Sequence, residues 1–129
     1  MKSFIIWGSF FGVTAVLLGA LGAHALKTQL TPDQLQSFET GVRYQMYHAL
    51  LLIIVGFFQT TQTRAYTEFL GIVCSGIFLF SWSIFLLSTQ SIHGLQVSFL
   101  GPITPVGGIL LIAAWVYLPF VVTVKKVKN

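Results

Sequence analysis

Charge is what this chain has least of. Its 129 residues include seven Lys or Arg and three Asp or Glu, a charged share of only 8%. A soluble domain carries about 25%, because polar surface has to cover the core. Cysteine is nearly absent as well. Cys74 stands alone in an apolar run, so no internal disulfide forms and no CxxC pair exists for thiol redox chemistry; a lone buried thiol reads as packing. There is no phosphate loop and no GxSxG. The few carboxylates leave zinc without a third and fourth ligand. No Asp or Glu lies deep in an apolar stretch, which argues against proton- or sodium-coupled transport.

What the chain has in abundance is apolar surface. Apolar residues make up 55% and aromatics 15%, with twelve Phe. That composition excludes disorder and points to one domain, residues 1–129, integral to a membrane. A spanning helix needs about 20 mostly apolar residues, since the hydrocarbon layer is roughly 30 Å thick and a helix rises about 1.5 Å per residue. Phe4 to Leu26 carries no Asp, Glu, Lys or Arg, and neither does Tyr44 to Thr63. Phe69 to Val124 carries none and is long enough for two spans, divided at the polar stretch 88–98. The spacing predicts a third helix near 67–89 and a fourth near 100–123. Lys2, the apolar run and Ala23-His24-Ala25 resemble a cleaved signal, but the run is too long for one and reads as a retained first helix.

Four spans place both termini on one side. Lys2, Arg64, Lys125, Lys126 and Lys128 share that side, against Lys27 and Arg43 on the other. The excess of positive charge predicts both termini in the cytoplasm of a cell whose inner membrane holds the protein. The C-terminal lysines read as a juxtamembrane anchor, not a groove for nucleic acid. Trp7, Tyr66 and Tyr117 then fall near the inner boundary, and Tyr44 and Tyr47 near the outer one. Between the first two spans, Thr31-Pro32-Asp33-Gln34 has the marks of a helix start: a capping hydroxyl, Pro at the first helical position, an acid in the first turn and Gln at capping-box spacing. Leu35, Phe38 and Val42 continue it as a short amphipathic helix, 32 to about 43, lying at the interface and feeding the second span.

Small residues mark one face of the first helix. Gly8, Gly12, Ala15, Gly19 and Gly22 alternate at spacings of four and three, so all fall on one stripe that lets another backbone approach. In the fourth helix, Gly101-Pro102-Ile103-Thr104-Pro105-Val106-Gly107-Gly108 predicts a distorted outer half. Ser81-Trp82-Ser83 reads as packing, with the Trp82 N–H in need of a partner.

The candidate site gathers polar residues expected at the outer ends of the spans: His24, Glu39, Arg43, Tyr44, Tyr47, His48 and Thr104, with His93 in the second outer loop. Glu39 and Arg43 are i,i+4 partners expected to form an ion pair, and Tyr44 and His48 form the neighbouring i,i+4 pair. His24 lies roughly 160° from the glycine stripe by the helical period, so it faces a different neighbour. The cluster admits two readings. In one, it binds a lipid headgroup, a quinone-like molecule or a partner subunit without catalysis; Arg43 holds an anionic group, the two histidines give hydrogen bonds and the tyrosines wall the site. Membrane lipids, a second copy or a larger complex are the expected partners, and no cofactor is needed. In the other, His24 and His48 serve as acid–base groups or as paired haem ligands.

Three stretches together resemble a known family. Leu18-Gly19-Ala20-Leu21-Gly22-Ala23-His24-Ala25-Leu26, Arg43-Tyr44-Gln45-Met46-Tyr47-His48-Ala49-Leu50 and the Gly101-to-Gly108 segment are similar, in the same order, to signatures of the family catalogued as domain of unknown function 423. It includes small bacterial inner-membrane proteins and eukaryotic relatives named transmembrane protein 256. The resemblance implies a small polytopic membrane protein and brings no catalytic residue with it.

Overall fold

The computed structural model describes residues 1–123, and the described residues form an all-α bundle of four membrane-spanning helices. Lys125, Lys126 and Lys128 lie outside the described residues. The first span is α1, Lys2–His24, and the second is α2, Pro32–Phe58. The third runs from Arg64 to Ser88. It consists of α3 (Arg64–Ile77), a π-helical turn over Phe78–Trp82, and α4 (Ser83–Ser88). A short α5, Gln90–His93, and a 3₁₀ turn at Ser98–Leu100 lead into α6, Ile103–Thr123, the fourth span.

The second helix starts where its capping signals place it. Gln34 N donates to Thr31 Oγ1 at 3.3 Å, and Thr31 N donates to Gln34 Oε1 at 3.0 Å. Two otherwise orphaned helix-end groups are satisfied together. The amphipathic stretch does form a helix, but as the first turns of α2 rather than as a separate piece. The 27-residue α2 is unbroken, since no Gly-Pro or turn element separates Arg43 from the apolar run that begins at Tyr44.

The small-residue stripe of α1 packs on α2. A Cβ on Gly8 would meet the Ile53 side chain at 2.6 Å and the Ala49 carbonyl oxygen at 2.9 Å; Gly19 faces Val42 and Gly22 faces Phe38. Ala15 is buried in the same seam. Gly12 departs from the expectation. Nothing lies within 4 Å of a Cβ built there; Gly12 lines a cavity with Met46 of α2. Aromatic contacts tie α1 to the third span: Phe4 packs on Tyr66 and Phe69, and Phe11 and Trp7 pack on Phe78. The fourth span lies on the other flank, so α1 and α6 show the most surface to lipid.

The expected distortion of the fourth helix is confined to its entry. From Ile103 the helix runs unbroken to Thr123, with Pro119 inside its second half. Pro105 sits in the first turn, where its missing N–H has no intrahelical partner to lose. The irregularity appears in the neighbouring third span instead. Gly107 presses its backbone onto the π-turn so closely that a Cβ would stand 2.3 Å from Phe80 N and 2.5 Å from the Leu79 carbonyl carbon. Ser81, buried in the turn, donates to the Gly41 carbonyl of α2 at 2.8 Å. The widened turn therefore seats α6 on one side and binds α2 on the other.

Candidate functional site

The register of α1 against α2 separates the residues that were expected to converge. Gly22 meets Phe38, and Gly8 meets Ala49 and Ile53. His24 thus stands about 12 residues along the antiparallel pair from His48, or roughly 18 Å at the helical rise. His24 is exposed at the end of α1, whereas His48 is buried near the middle of α2. They do not share one polar cluster, and no single iron bridges them. Arg43 is exposed and does not pair with Glu39. Its guanidinium donates to Thr40 Oγ1 at 3.0 Å, one turn back on its own helix. The one ion pair among the described residues is Arg64–Glu68, at 2.6 Å. Thr104 joins Ser83 across the third and fourth spans at 2.6 Å, not the histidines. His93 closes the end of the third span, with Nε2 donating to the Leu86 carbonyl at 2.9 Å and Nδ1 accepting from Leu95 N at 3.0 Å.

A different site forms around His48. Its Nδ1 stands 2.7 Å from the Tyr44 carbonyl oxygen. A carbonyl only accepts, so Nδ1 carries the proton. Nε2 is then the acceptor, and Trp115 Nε1 of α6 donates to it at 3.1 Å. Both ring nitrogens of a neutral imidazole are thereby engaged. The Trp115 ring meets the His48 ring edge-on at 6.1 Å between centroids, and Tyr44 packs against Phe80 at 5.2 Å. These four side chains, with Gly108, Leu111 and Ile112, line a cleft of about 270 Å³ between α2, the π-turn and α6. The Gly107–Phe80 approach holds its two walls at fixed separation. Of the expected residues, Tyr44 and His48 belong to this cleft, and Tyr47 packs at a tilt beside Tyr44 on the exposed side.

Two further polar features have partners that the sequence did not indicate, although Gln45 itself stands among the polar residues at the start of the second span. Gln45 is fully buried, its Nε2 donating to the Phe11 carbonyl at 3.0 Å and to Thr14 Oγ1 at 2.6 Å, which ties α2 to α1. At the terminal end, Glu68 accepts from Arg64 and from the Tyr117 hydroxyl, while Gln59 binds the Met1 amine and Gln62. The signal that could have found the His48 pair is complementarity: Trp115 is a donor with no side-chain acceptor one turn away on its own helix, and His48 offers a ring-nitrogen acceptor deep in α2.

A family model described as protein of unknown function (DUF423) matches residues 18–108. The UPF0382 membrane protein YwdK of Bacillus subtilis (strain 168) is 41% identical over 120 residues, covering 92% of this chain and 94% of its own. A UPF0382 membrane protein of Staphylococcus haemolyticus (strain JCSC1435) is 40% identical over 119 residues, covering 92% of this chain and 93% of its own. One from Staphylococcus aureus (strain bovine RF122 / ET3-1) is 39% identical with the same coverage. No solved structure matches the chain.

Proposed function

Since the chain belongs to the DUF423 family of membrane proteins, we propose that it is a non-enzymatic binding protein that holds a quinone-like ring from the lipid phase in the His48 cleft. One observation carries the reading: an imidazole buried at mid-span, held by Trp115, beside a cleft walled by aromatic rings. Ionisable side chains at membrane depth mark functional positions by default. Ligand pockets run from about 300 to 1,000 Å³, so this cleft suits one substituted ring rather than a whole lipid headgroup. Tyr44 supplies a hydroxyl for a ring carbonyl, and Phe80 and the Trp115 ring supply apolar faces, the indole N–H staying on His48.

The enzymatic and haem alternative is disfavoured by the same bonds. A general base or an iron ligand needs a free nitrogen lone pair, and that of His48 Nε2 is occupied by Trp115. We further assign both termini to the cytoplasmic face of the inner membrane, on the distribution of basic residues. A scaffold role beside a second copy or a larger complex is compatible with the lipid-facing surfaces of α1 and α6.

The test is quenching of tryptophan fluorescence in nanodiscs by decylubiquinone, using a chain in which Trp7 and Trp82 are replaced by Phe. Saturable quenching of Trp115, lost in His48→Leu, is expected. Quenching that rises linearly with quinone and is unchanged in His48→Leu refutes the site.

A further inference from the structure

A second cavity, of about 500 Å³, opens at the end of the bundle away from the termini, where the first turns of α2, the end of α4 and the start of α6 meet. It is independent of the His48 cleft. Asp33, Gln34 and Ser37 line it from α2, Ser88 from α4 and Thr104 from α6, and no Lys, Arg or His is among its described lining residues. The chemistry is that of an acceptor site. Ser88 Oγ donates to the Ile84 carbonyl at 2.7 Å, and Thr104 Oγ1 lies 2.6 Å from Ser83 Oγ and 3.3 Å from the Leu100 carbonyl oxygen. Hydroxyls that spend their proton on the preceding turn present lone pairs outward. The Asp33 carboxylate adds a negative charge to those oxygens. Gln34 contributes only its amide NH₂ group, since its Oε1 is taken by Thr31 N. The remaining wall is aliphatic, from Ile84, Leu87 and Pro105.

We infer that this cavity binds the headgroup of a zwitterionic lipid with a primary ammonium, the ammonium on Asp33 and the hydroxyl oxygens, the chains running down the aliphatic wall. Three observations favour a primary ammonium. The cavity offers a carboxylate with several acceptors and no cation, which repels a purely anionic headgroup. Its acceptors need N–H donors, which a trimethylammonium cannot give. Its polar mouth and apolar wall match the boundary between headgroup and acyl chain, at the end of the bundle where α2 begins with its capping box.

The experiment is native mass spectrometry of the full chain released from nanodiscs holding equal amounts of phosphatidylethanolamine and phosphatidylcholine with matched chains. The protein should retain the ethanolamine lipid over the choline lipid by about fivefold, the factor expected for one partly exposed charge-assisted contact of about 1 kcal/mol. Asp33→Asn should erase the preference, and Asp33→Glu should keep most of it. Thermal unfolding in each lipid alone checks the competing role of Asp33 as a helix-dipole partner. A midpoint that Asp33→Asn lowers equally in both lipids, with the preference intact, overturns the proposal. So does equal retention of the two lipids by the unaltered protein, or displacement of the bound lipid by free ethanolamine, which would make the ligand a soluble amine.

Discussion

At the scale of the residue, the membrane interior makes every polar atom a liability unless a neighbour answers it. His48 and Trp115 answer one another at 3.1 Å. His48→Leu leaves the indole N–H without its acceptor, and Trp115→Phe leaves Nε2 without its donor. Each should destabilise the bundle by about 1 kcal/mol, the scale of interhelical hydrogen bonds in lipid. The double variant should lose less than the sum of the two. Thermal unfolding in mild detergent measures all three; strict additivity would mean the pair is not coupled. Gln45 gives the opposite expectation. Its amide nitrogen binds Phe11 and Thr14, but its Oε1 is buried with no partner among the described residues. Without Gln45, the Phe11 carbonyl still accepts from Thr14 Oγ1, and the Thr14 hydroxyl still has the Phe10 and Phe11 carbonyls for its proton. Gln45→Leu should therefore leave stability unchanged or raise it, by up to about 1 kcal/mol. A clear loss in the same assay would show that Oε1 is satisfied after all.

Elements are held together here by glycine at close approaches, and not all glycines on one stripe are equivalent. Gly107 faces the backbone of Leu79 and Phe80 at distances no side-chain rotation can relieve. Gly107→Ala has to push α6 off the π-turn and should cost about 3 kcal/mol, the upper range for overpacking. Gly12→Ala meets open space and should stay within about 0.5 kcal/mol of the parent. Denaturation of both variants in one detergent compares them directly; equal effects would sink the packing argument. The periodicity of small residues made the α1 stripe legible, and of its five positions Gly8, Gly19 and Gly22 face α2 while Ala15 is buried. It could not single out Gly12, because a stripe reports only which face is smooth. What stands opposite is decided by the other helix. The same limit applies to Glu39 and Arg43. Their spacing permits a pair, but both side chains are exposed, and Arg43 finds a hydroxyl one turn away instead.

For the whole molecule, four antiparallel spans return the chain to the side on which it started. The proposed direction rests on the distribution of the basic residues. A reporter fused after Asn129 should be active only in the cytoplasm; activity on the far side would overturn the proposed orientation. The third span's π-turn gives the bundle its one internal irregularity among the described spanning helices apart from Pro119 of α6. It lies against both α2 and α6, so the cleft, the Ser81 bond and the Gly107 contact form one mechanical unit.

Composition and run length alone determined that this is a membrane protein with four helical spans. Burying an unpaired backbone in hydrocarbon is so costly that about 20 uncharged residues have essentially one available structure. The capping box at Thr31–Gln34 was equally legible, because its partners lie within four residues of each other. Which polar groups meet was a different question. Sequence placed His24, Arg43 and His48 near the ends of their spans by assuming that α2 enters the membrane at Tyr44. In the folded chain α2 is one continuous helix from Pro32, and its register against α1, fixed by Gly8 on Ala49 and Gly22 on Phe38, sets His48 at mid-depth. The partner of His48 lies 67 positions away in α6. Only the tertiary structure could supply it, since nothing local to either residue encodes the depth at which two distant helices cross.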